Sequence, residues 1–447
     1  MGSSQTPHVF AERRSWRAEP MSSDEVALIQ RDEKVSFTQA NSTPALMSVT
    51  AAKGVWIWDM SGRKYMDFYG NNCHHVGYQH PEVLAKVREQ LDRFCFVSRG
   101  LTSEAPIQLA EKLIAQYPVP ESRVLFVPGG AAAAELALMI AKVHTGRYKT
   151  ISFWDSYHGR SAGALSVGGT PRDRSSRMGP LMPGALHVAP FYWQARKPRA
   201  ASDDMAASAQ ASLDSLKVVF ESEKDIAALI AEPIRNGPYV PPAGYWPKVR
   251  ELCDQHGTLL IFDDIPTGLG KTGRMFNAEH FGVSPDMTLL GKALGGSIAP
   301  LAAVIARSSL DTAPELNLGY FTHEKNALSA AAGLATLSVI VENKLPDRAK
   351  MLGRTVEARL NALLHQHPIV ANVRYIGLMF AIDFDRSTKG KEGIKLAKEF
   401  YFAVLRRGLL AMSPKANTVS FSAPMVISEE ELDSALEIIE AAIRDLS

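Results

Sequence analysis

The feature that most constrains this chain is a series of short apolar runs alternating with helical patterns through its middle. The runs are VLFV (124–127), TISF (150–153), ALIAEP (228–233) and LLIFDD (259–264). Between them lie AAAAELALMIAKVH and GYWPKVRELCDQHG, which carry helical spacing. Strands with no polar alternation are buried on both faces. Their regular alternation with helices predicts an α/β fold with a parallel sheet covered on both sides.

The end of the chain reads differently. A long helix is predicted around 325–365, followed by short strands in VRYIGLMFAIDF and TVSFSAP. A closing helix lies in SEEELDSALEIIEAAIRDL, where Ser428 can cap the first turn with Glu431 three residues on. The Ala-rich stretch 199–212 reads as a surface loop or a linker into a helix that includes LDSLKVVFESEK. The expected organisation is an N-terminal arm over 1–20, a large domain over 71–325, and a smaller α+β domain built from 21–70 and 326–447.

Composition narrows the class. The 447 residues are 46% hydrophobic and 21% charged, with a formal net charge of +2. That balance gives no pull toward nucleic acid or a membrane surface. No run approaches the ~20 apolar residues of a membrane span. The first residues lack the apolar core of a signal peptide, and Glu12 and Glu19 interrupt the arginines that a transit peptide would need. The three cysteines, Cys73, Cys95 and Cys253, form no CxxC pair, and an odd count argues against a disulfide framework. A reducing, cytoplasmic setting is expected, and no metal is called for.

Four features carry chemistry. Asp263 and Asp264 end an apolar strand, where open α/β sheets place ligand groups. Lys292 sits in LLGKALGG, an apolar, glycine-rich setting in which burial can lower an amine's pKa enough for it to act as a nucleophile. Gly129-Gly130 lie between a strand and a helix, and backbone N–H groups at a helix start suit a phosphate. Tyr157 and His158 follow a strand, where an aromatic ring can stack on a flat heterocycle. Taken singly, each has a bland reading: a capping acid, a surface lysine, a common turn, a core tyrosine.

Taken in order, they resemble the class III aminotransferases, which are pyridoxal 5′-phosphate (PLP) enzymes of fold type I. FDDIPTGLGKTGRMFNAEHFGVSPDMTLLGKALGG is similar to the family signature, with Lys292 lying 29 positions after Asp263. TGRYKTISFWDSYHGRSAGALSVGG resembles the Tyr-His-Gly segment, and FTHEKNALSAAAGLATLSVI the segment whose threonine reaches the neighbouring subunit's phosphate. The likeness runs from about residue 40 to the C-terminus. It implies a large domain with a mostly parallel seven-stranded sheet. Lys292 would form the Schiff base and move protons, and Asp263 would pair with the pyridinium nitrogen. Gly130 and Ala131 would hold the phosphate, Tyr157 or His158 would cover one ring face, and Ile265 the other. Glu232 would stand near the active site. Thr322 would complete a partner subunit's phosphate site, so at least a homodimer is implied, acting on a small amine and possibly a keto acid acceptor.

Five departures from the family pattern bear on the reaction. The phosphate loop reads GGAAAAE, so Ala131 offers no hydroxyl. Pro266 replaces a glutamine, and Asp264 a glutamate. Ser420 stands where the family has an arginine for a substrate carboxylate, and Arg374 belongs to a structural VRxxG motif. Finally, Asn71, Asn72, His74 and His75 in YGNNCHHVGY make a usually apolar wall polar, which would suit either a phosphate or phosphonate headgroup or an interdomain seam. The first expectation is a transaminase of a primary amine or amino acid. The alternatives are an ammonia-lyase acting on a β-hydroxy or phosphorylated amine such as 1-hydroxy-2-aminoethylphosphonate, and an amino-acid racemase.

Overall fold

The computed structural model describes residues 21–39, 42–194, 202–385 and 392–447. The expected arm over 1–20 therefore lies outside the described residues. In chain order the first strands are β1 (Ala51–Lys53), β2 (Trp56–Trp58) and β3 (Lys64–Asp67). Then come β4 (Ser122–Val127), β5 (Lys149–Phe153), β6 (Ala185–Val188), β7 (Ile226–Ala231), β8 (Leu259–Asp263), β9 (Met287–Leu290) and β10 (Ala302–Arg307). The last are β11 (Val370–Ile376), β12 (Met379–Phe384), β13 (Leu409–Leu410) and β14 (Thr418–Ser422).

The seven strands β4 to β10 make one sheet in the order β4-β10-β9-β8-β7-β5-β6. Only β10 runs against its two neighbours. All six residues of β7 are buried, as an inner parallel strand requires. Alternate residues point to opposite faces. Leu260 and Phe262 meet the helix Tyr245–His256 through Trp246 and Val249, whereas Ile261 meets the helix Gly130–Thr145 through Leu136 and Ala137. Each large side chain buried this way contributes roughly 1.5–3 kcal/mol. Two smaller sheets flank this body. β13 pairs in parallel with β3 and so joins the two ends of the chain, and β11-β12-β14 form an antiparallel sheet.

The long helix expected over 325–365 is two helices, Ala327–Glu342 and Leu345–Gln366, set at 60°. Lys344 turns into the left-handed region at φ +49°, and Pro346, which has no N–H, opens the second helix. The closing helix Glu429–Leu446 starts as expected: Ser428 Oγ accepts the Glu431 N–H, and the Glu431 carboxylate accepts the Ser428 N–H.

One seam locks the three-stranded sheet to the large domain. Gly377 turns between β11 and β12 at φ +54°, and a Cβ there would stand 2.3 Å from the Lys271 carbonyl oxygen. On its other side, a Cβ on Gly353 would meet the Gly377 carbonyl at 2.7 Å. Gly377→Ala should therefore cost about 3 kcal/mol, the left-handed penalty plus the clash. Urea unfolding at fixed pH reads this directly, and an unchanged midpoint would mean the seam relaxes freely.

Candidate active site

Five segments converge beyond the carboxyl ends of the central strands, where α/β sheets bind ligands. β8 delivers Asp263, whose buried carboxylate accepts the Ile265 N–H at 3.1 Å and lies 2.7 Å from His158 Nδ1. His158 comes from the segment after β5. It is buried, and its Nε2 has no partner. His158 is committed to Asp263, whereas Tyr157 is 41% exposed.

Ile265 lies between two glycines. A Cβ on Gly130 would come within 3.0 Å of Ile265 Cδ1, and one on Gly291 within 3.3 Å of its Cγ2. Ile265 thus rests against the start of the helix Gly130–Thr145, whose first N–H groups have no intrahelical acceptor. Gly159, at φ +140°, fits against Ala131; a Cβ there would stand 2.7 Å from the Ala131 Cβ. Glu135 accepts the N–H groups of Gly163 (2.7 Å) and Ala164 (3.1 Å), which ties this helix to the segment after Tyr157 and His158.

β9 leads through Gly291 to Lys292, which opens a tight turn at φ +44°. A lysine in that region is strained, as functional residues often are. Burial pushes its amine pKa down, against the pull of Asp263 and Glu232. Glu232, just past β7, accepts the Tyr157 N–H at 3.2 Å. Burial raises its carboxyl, but the Arg235 guanidinium, His158 and the Tyr157 N–H together outweigh that and the net shift is downward. Arg235 Nη1 donates to both Glu232 oxygens, at 2.9 and 2.8 Å, and Nη2 to the Asp155 carbonyl at 2.6 Å. Sequence reasoning missed Arg235. Its signal was local: an arginine three residues after a glutamate at a strand end, in AEPIRNG.

The polar wall is mostly closed to solvent. Asn71 (φ +48°) is exposed and Asn72 (φ +60°) is buried with Oδ1 unpartnered. His74 and His75 are closed to solvent. His74 Nε2 sits 2.8 Å from the Asp67 carbonyl oxygen, and His75 Nε2 3.0 Å from that of Gly268. Burial, with Lys271 nearby, lowers His74 to about 4 and holds His75 well below its ordinary value. Each ring is anchored through Nε2 to a backbone carbonyl, while Nδ1 of each is buried with no hydrogen-bond partner among the described residues. Of the remaining candidates, Thr322 is exposed on this chain. Arg374 pairs with Asp383, lies 4.1 Å over the Tyr239 ring and donates to the Gly237 carbonyl at 3.0 Å. Ser420 stands beside the same loop, 3.8 Å from where a Gly237 Cβ would be.

Sequence reading also passed over a second lysine. Lys271 is fully buried, donates to the Ala423 carbonyl at 2.6 Å, and is pushed by burial to about 7. The unfolded side chain titrates near 10.5. Between those values the unfolded chain binds the extra proton, so the folded state gains stability as pH rises from 7 toward 10.5. The stability difference between Lys271→Met and the wild type should accordingly shift in favour of the wild type between pH 6.5 and 10. A difference in urea midpoints that does not vary with pH would mean Lys271 stays charged in the folded protein.

A family model described as Aminotransferase class-III matches residues 37–443. The chain is 37% identical to the (R)-1-hydroxy-2-aminoethylphosphonate ammonia-lyase of Vibrio splendidus (strain 12B01), over 96% of this chain and 92% of that one. It is 33% identical to the 4-aminobutyrate aminotransferase of Escherichia coli (strain K12), over 87% and 91%. Among solved structures, the (S)-enantioselective omega-transaminase of Thermomicrobium roseum matches with a TM-score of 0.86 at 28% identity, over 96% and 100%. The taurine:2-oxoglutarate aminotransferase of Bifidobacterium kashiwanohense, solved with PLP and glutamate, matches at 0.87 and 25%, over 96% and 99%. The residues present suit PLP: a buried amine (Lys292), a buried carboxylate with lone pairs to spare (Asp263), and open N–H groups at a glycine-led helix start. A PLP-dependent enzyme with a mostly parallel α/β sheet, the chain belongs to the class III aminotransferase family.

Proposed function

We propose that this enzyme is an ammonia-lyase acting on a compact β-hydroxy amine that carries an anionic group, with 1-hydroxy-2-aminoethylphosphonate as the leading substrate. The observation that carries the reading is Ser420. A transaminase must seat a keto acid as well as an amine, and a guanidinium is the natural partner for that carboxylate. Here residue 420 is a hydroxyl, and Arg374, across the same loop, is already paired with Asp383. Loss of water from a β-hydroxy amine, followed by hydrolysis of the resulting imine, releases ammonia and an aldehyde with no change of oxidation state. No keto acid is needed. The 37% identity to the Vibrio lyase supports the same reading and moves elimination ahead of transamination, which the sequence alone had placed first. Transamination is the second reading, favoured by the 33% identity to the Escherichia coli aminotransferase.

PLP, when bound, supplies an aldehyde for the substrate nitrogen and a ring that withdraws electrons. The protein does the rest. Gly130 and Ala131 would hold the phosphate with backbone N–H groups. Asp263 would keep the ring nitrogen protonated, and His158 fixes the Asp263 carboxylate in position. Ile265 and Tyr157 would flank the ring. The Lys292 amine, neutral in a larger fraction of molecules because burial disfavours its charge, would remove the proton from the carbon bearing nitrogen. We also propose a homodimer in which Thr322 serves the partner's phosphate site. A cavity of about 830 Å³, lined by both apolar residues (Ile107, Leu125, Leu318) and charged ones (Arg99, Arg123, Glu324), includes Gly319 and Tyr320 near Thr322 and would be covered by such an assembly.

The reaction test is to mix PLP-loaded enzyme with 1-hydroxy-2-aminoethylphosphonate, alanine or 4-aminobutyrate, without any keto acid. A lyase releases ammonia continuously from the first and leaves the cofactor spectrum unchanged. A single stoichiometric conversion to the pyridoxamine form would establish transamination instead. Lys292→Ala should remove the cofactor's absorbance near ~400–430 nm, which depends on the lysine's nucleophilic bond. Asp263→Asn should retain cofactor but lower turnover by about 100-fold or more. Turnover close to wild type would rule out its role at the ring nitrogen.

A further inference from the structure

We propose that Lys415, with Arg235, binds the anionic group of the substrate and so replaces the guanidinium that residue 420 does not supply. The proposal rests on the anionic-amine reading above. Lys415 lies on the tight turn that enters β14. Its N–H and carbonyl exchange hydrogen bonds with Thr418, both at 3.0 Å. Thr418 Oγ1 donates to Asp383 at 2.6 Å, the carboxylate that also holds Arg374. Arg374 Nε in turn donates to the Gly237 carbonyl at 3.0 Å. Gly237 is two residues from Arg235, and the loop between is closed by paired hydrogen bonds of Arg235 with Tyr239 at 3.1 and 3.0 Å. The turn carrying Lys415 and the loop carrying Arg235 are thereby fixed to one another.

The charges on these two elements are unequal. Arg235 and Glu232 neutralise each other, yet the Arg235 Nε–H makes no hydrogen bond among the described residues. Among the described residues no carboxylate stands within ion-pair distance of Lys415. The residue as a whole is exposed. The protein packed around it, with the Arg235 and Arg172 guanidiniums, lowers its pKa against the pull of Asp155 and Glu232. Lys415 is therefore a cation short of negative partners. The Glu232–Arg235 pair acts electrostatically on both Lys415 and the Lys292 amine. An amine bound at Lys292 with a short arm ending in a dianion would bring that charge toward this cluster. A lysine ammonium suits a phosphonate because it acts as a compact point charge with three donors. A solvated surface lysine would need neither the tied turn nor the shared field.

The test is calorimetric binding to the PLP-loaded enzyme of two amines that lack a β-hydroxyl and so cannot lose water, one with the anion and one without: 2-aminoethylphosphonate and propylamine. Wild type should prefer the phosphonate. Lys415→Gln should weaken it by about tenfold or more, as loss of a charge-assisted contact implies, and leave propylamine unchanged. Lys415→Arg should retain most of the preference, and Ser420→Arg added to Lys415→Gln should restore part of it. Equal losses for both amines would make Lys415 a structural residue, and no loss would place it outside the site. Either result overturns the proposal while leaving the anionic-substrate reading intact. A wild type with no preference for the phosphonate would overturn that reading, and the proposal with it.

Discussion

A buried carboxylate, that of Asp263, ties together the segments from which the crevice is built. It ends β8, lies against His158 from beyond β5, and accepts the N–H of Ile265, which in turn fills the space between Gly130 and Gly291. A buried charge must be paired, and each partner is therefore held as firmly as it holds. Local backbone geometry follows from this. Gly130 and Gly291 leave room for the isoleucine, and Gly159 leaves room for Ala131, so the helix start can lie close to the strand ends.

The same interior handles four other ionisable groups by different means. Glu232 keeps its charge because Arg235 sits against it. Among the described residues the Asp264 carboxylate accepts from Asn277 alone, through its N–H (2.9 Å) and Nδ2 (3.1 Å), and burial raises it to about 7. Lys271 meets a single backbone carbonyl and is driven toward neutrality. Lys292 is also pushed down, but two carboxylates oppose the shift. The two lysines are thus separated by environment: one is sealed in the seam beside Gly377, and the other is held on a strained turn at the end of β9.

How much of this could be read from sequence follows the range of the interactions. The strand ends and their acids were legible, because unbroken apolar runs mark inner strands and ligands gather where these end. The Ser428 cap was legible because three residues contain it. The break between the helices at Lys344 carried a local sign, Pro346, which the apolar periodicity on both sides obscured. Side-chain direction was not legible. Tyr157 and His158 are neighbours, yet only the backbone beyond β5 decides which of them turns to Asp263. His74 and His75 read as a wall because their acceptors, the carbonyls of Asp67 and Gly268, lie 7 and 193 residues away. Arg235 escaped notice although its signal was local, because a glutamate three residues before an arginine does not by itself say that the two side chains turn onto each other beneath Tyr157.

That local pairing has a structural consequence. The Glu232–Arg235 pair is complete within four consecutive residues at the end of one strand. Ser420 lies instead on β14, in the three-stranded sheet. That sheet is held to the loop after Arg235 by other contacts, Arg374 Nε on the Gly237 carbonyl and the Arg374 guanidinium over the Tyr239 ring. The charges that act on Lys292 and the contacts that hold the two sheets together are therefore carried by different residues, and each can be altered by substitution without removing the other.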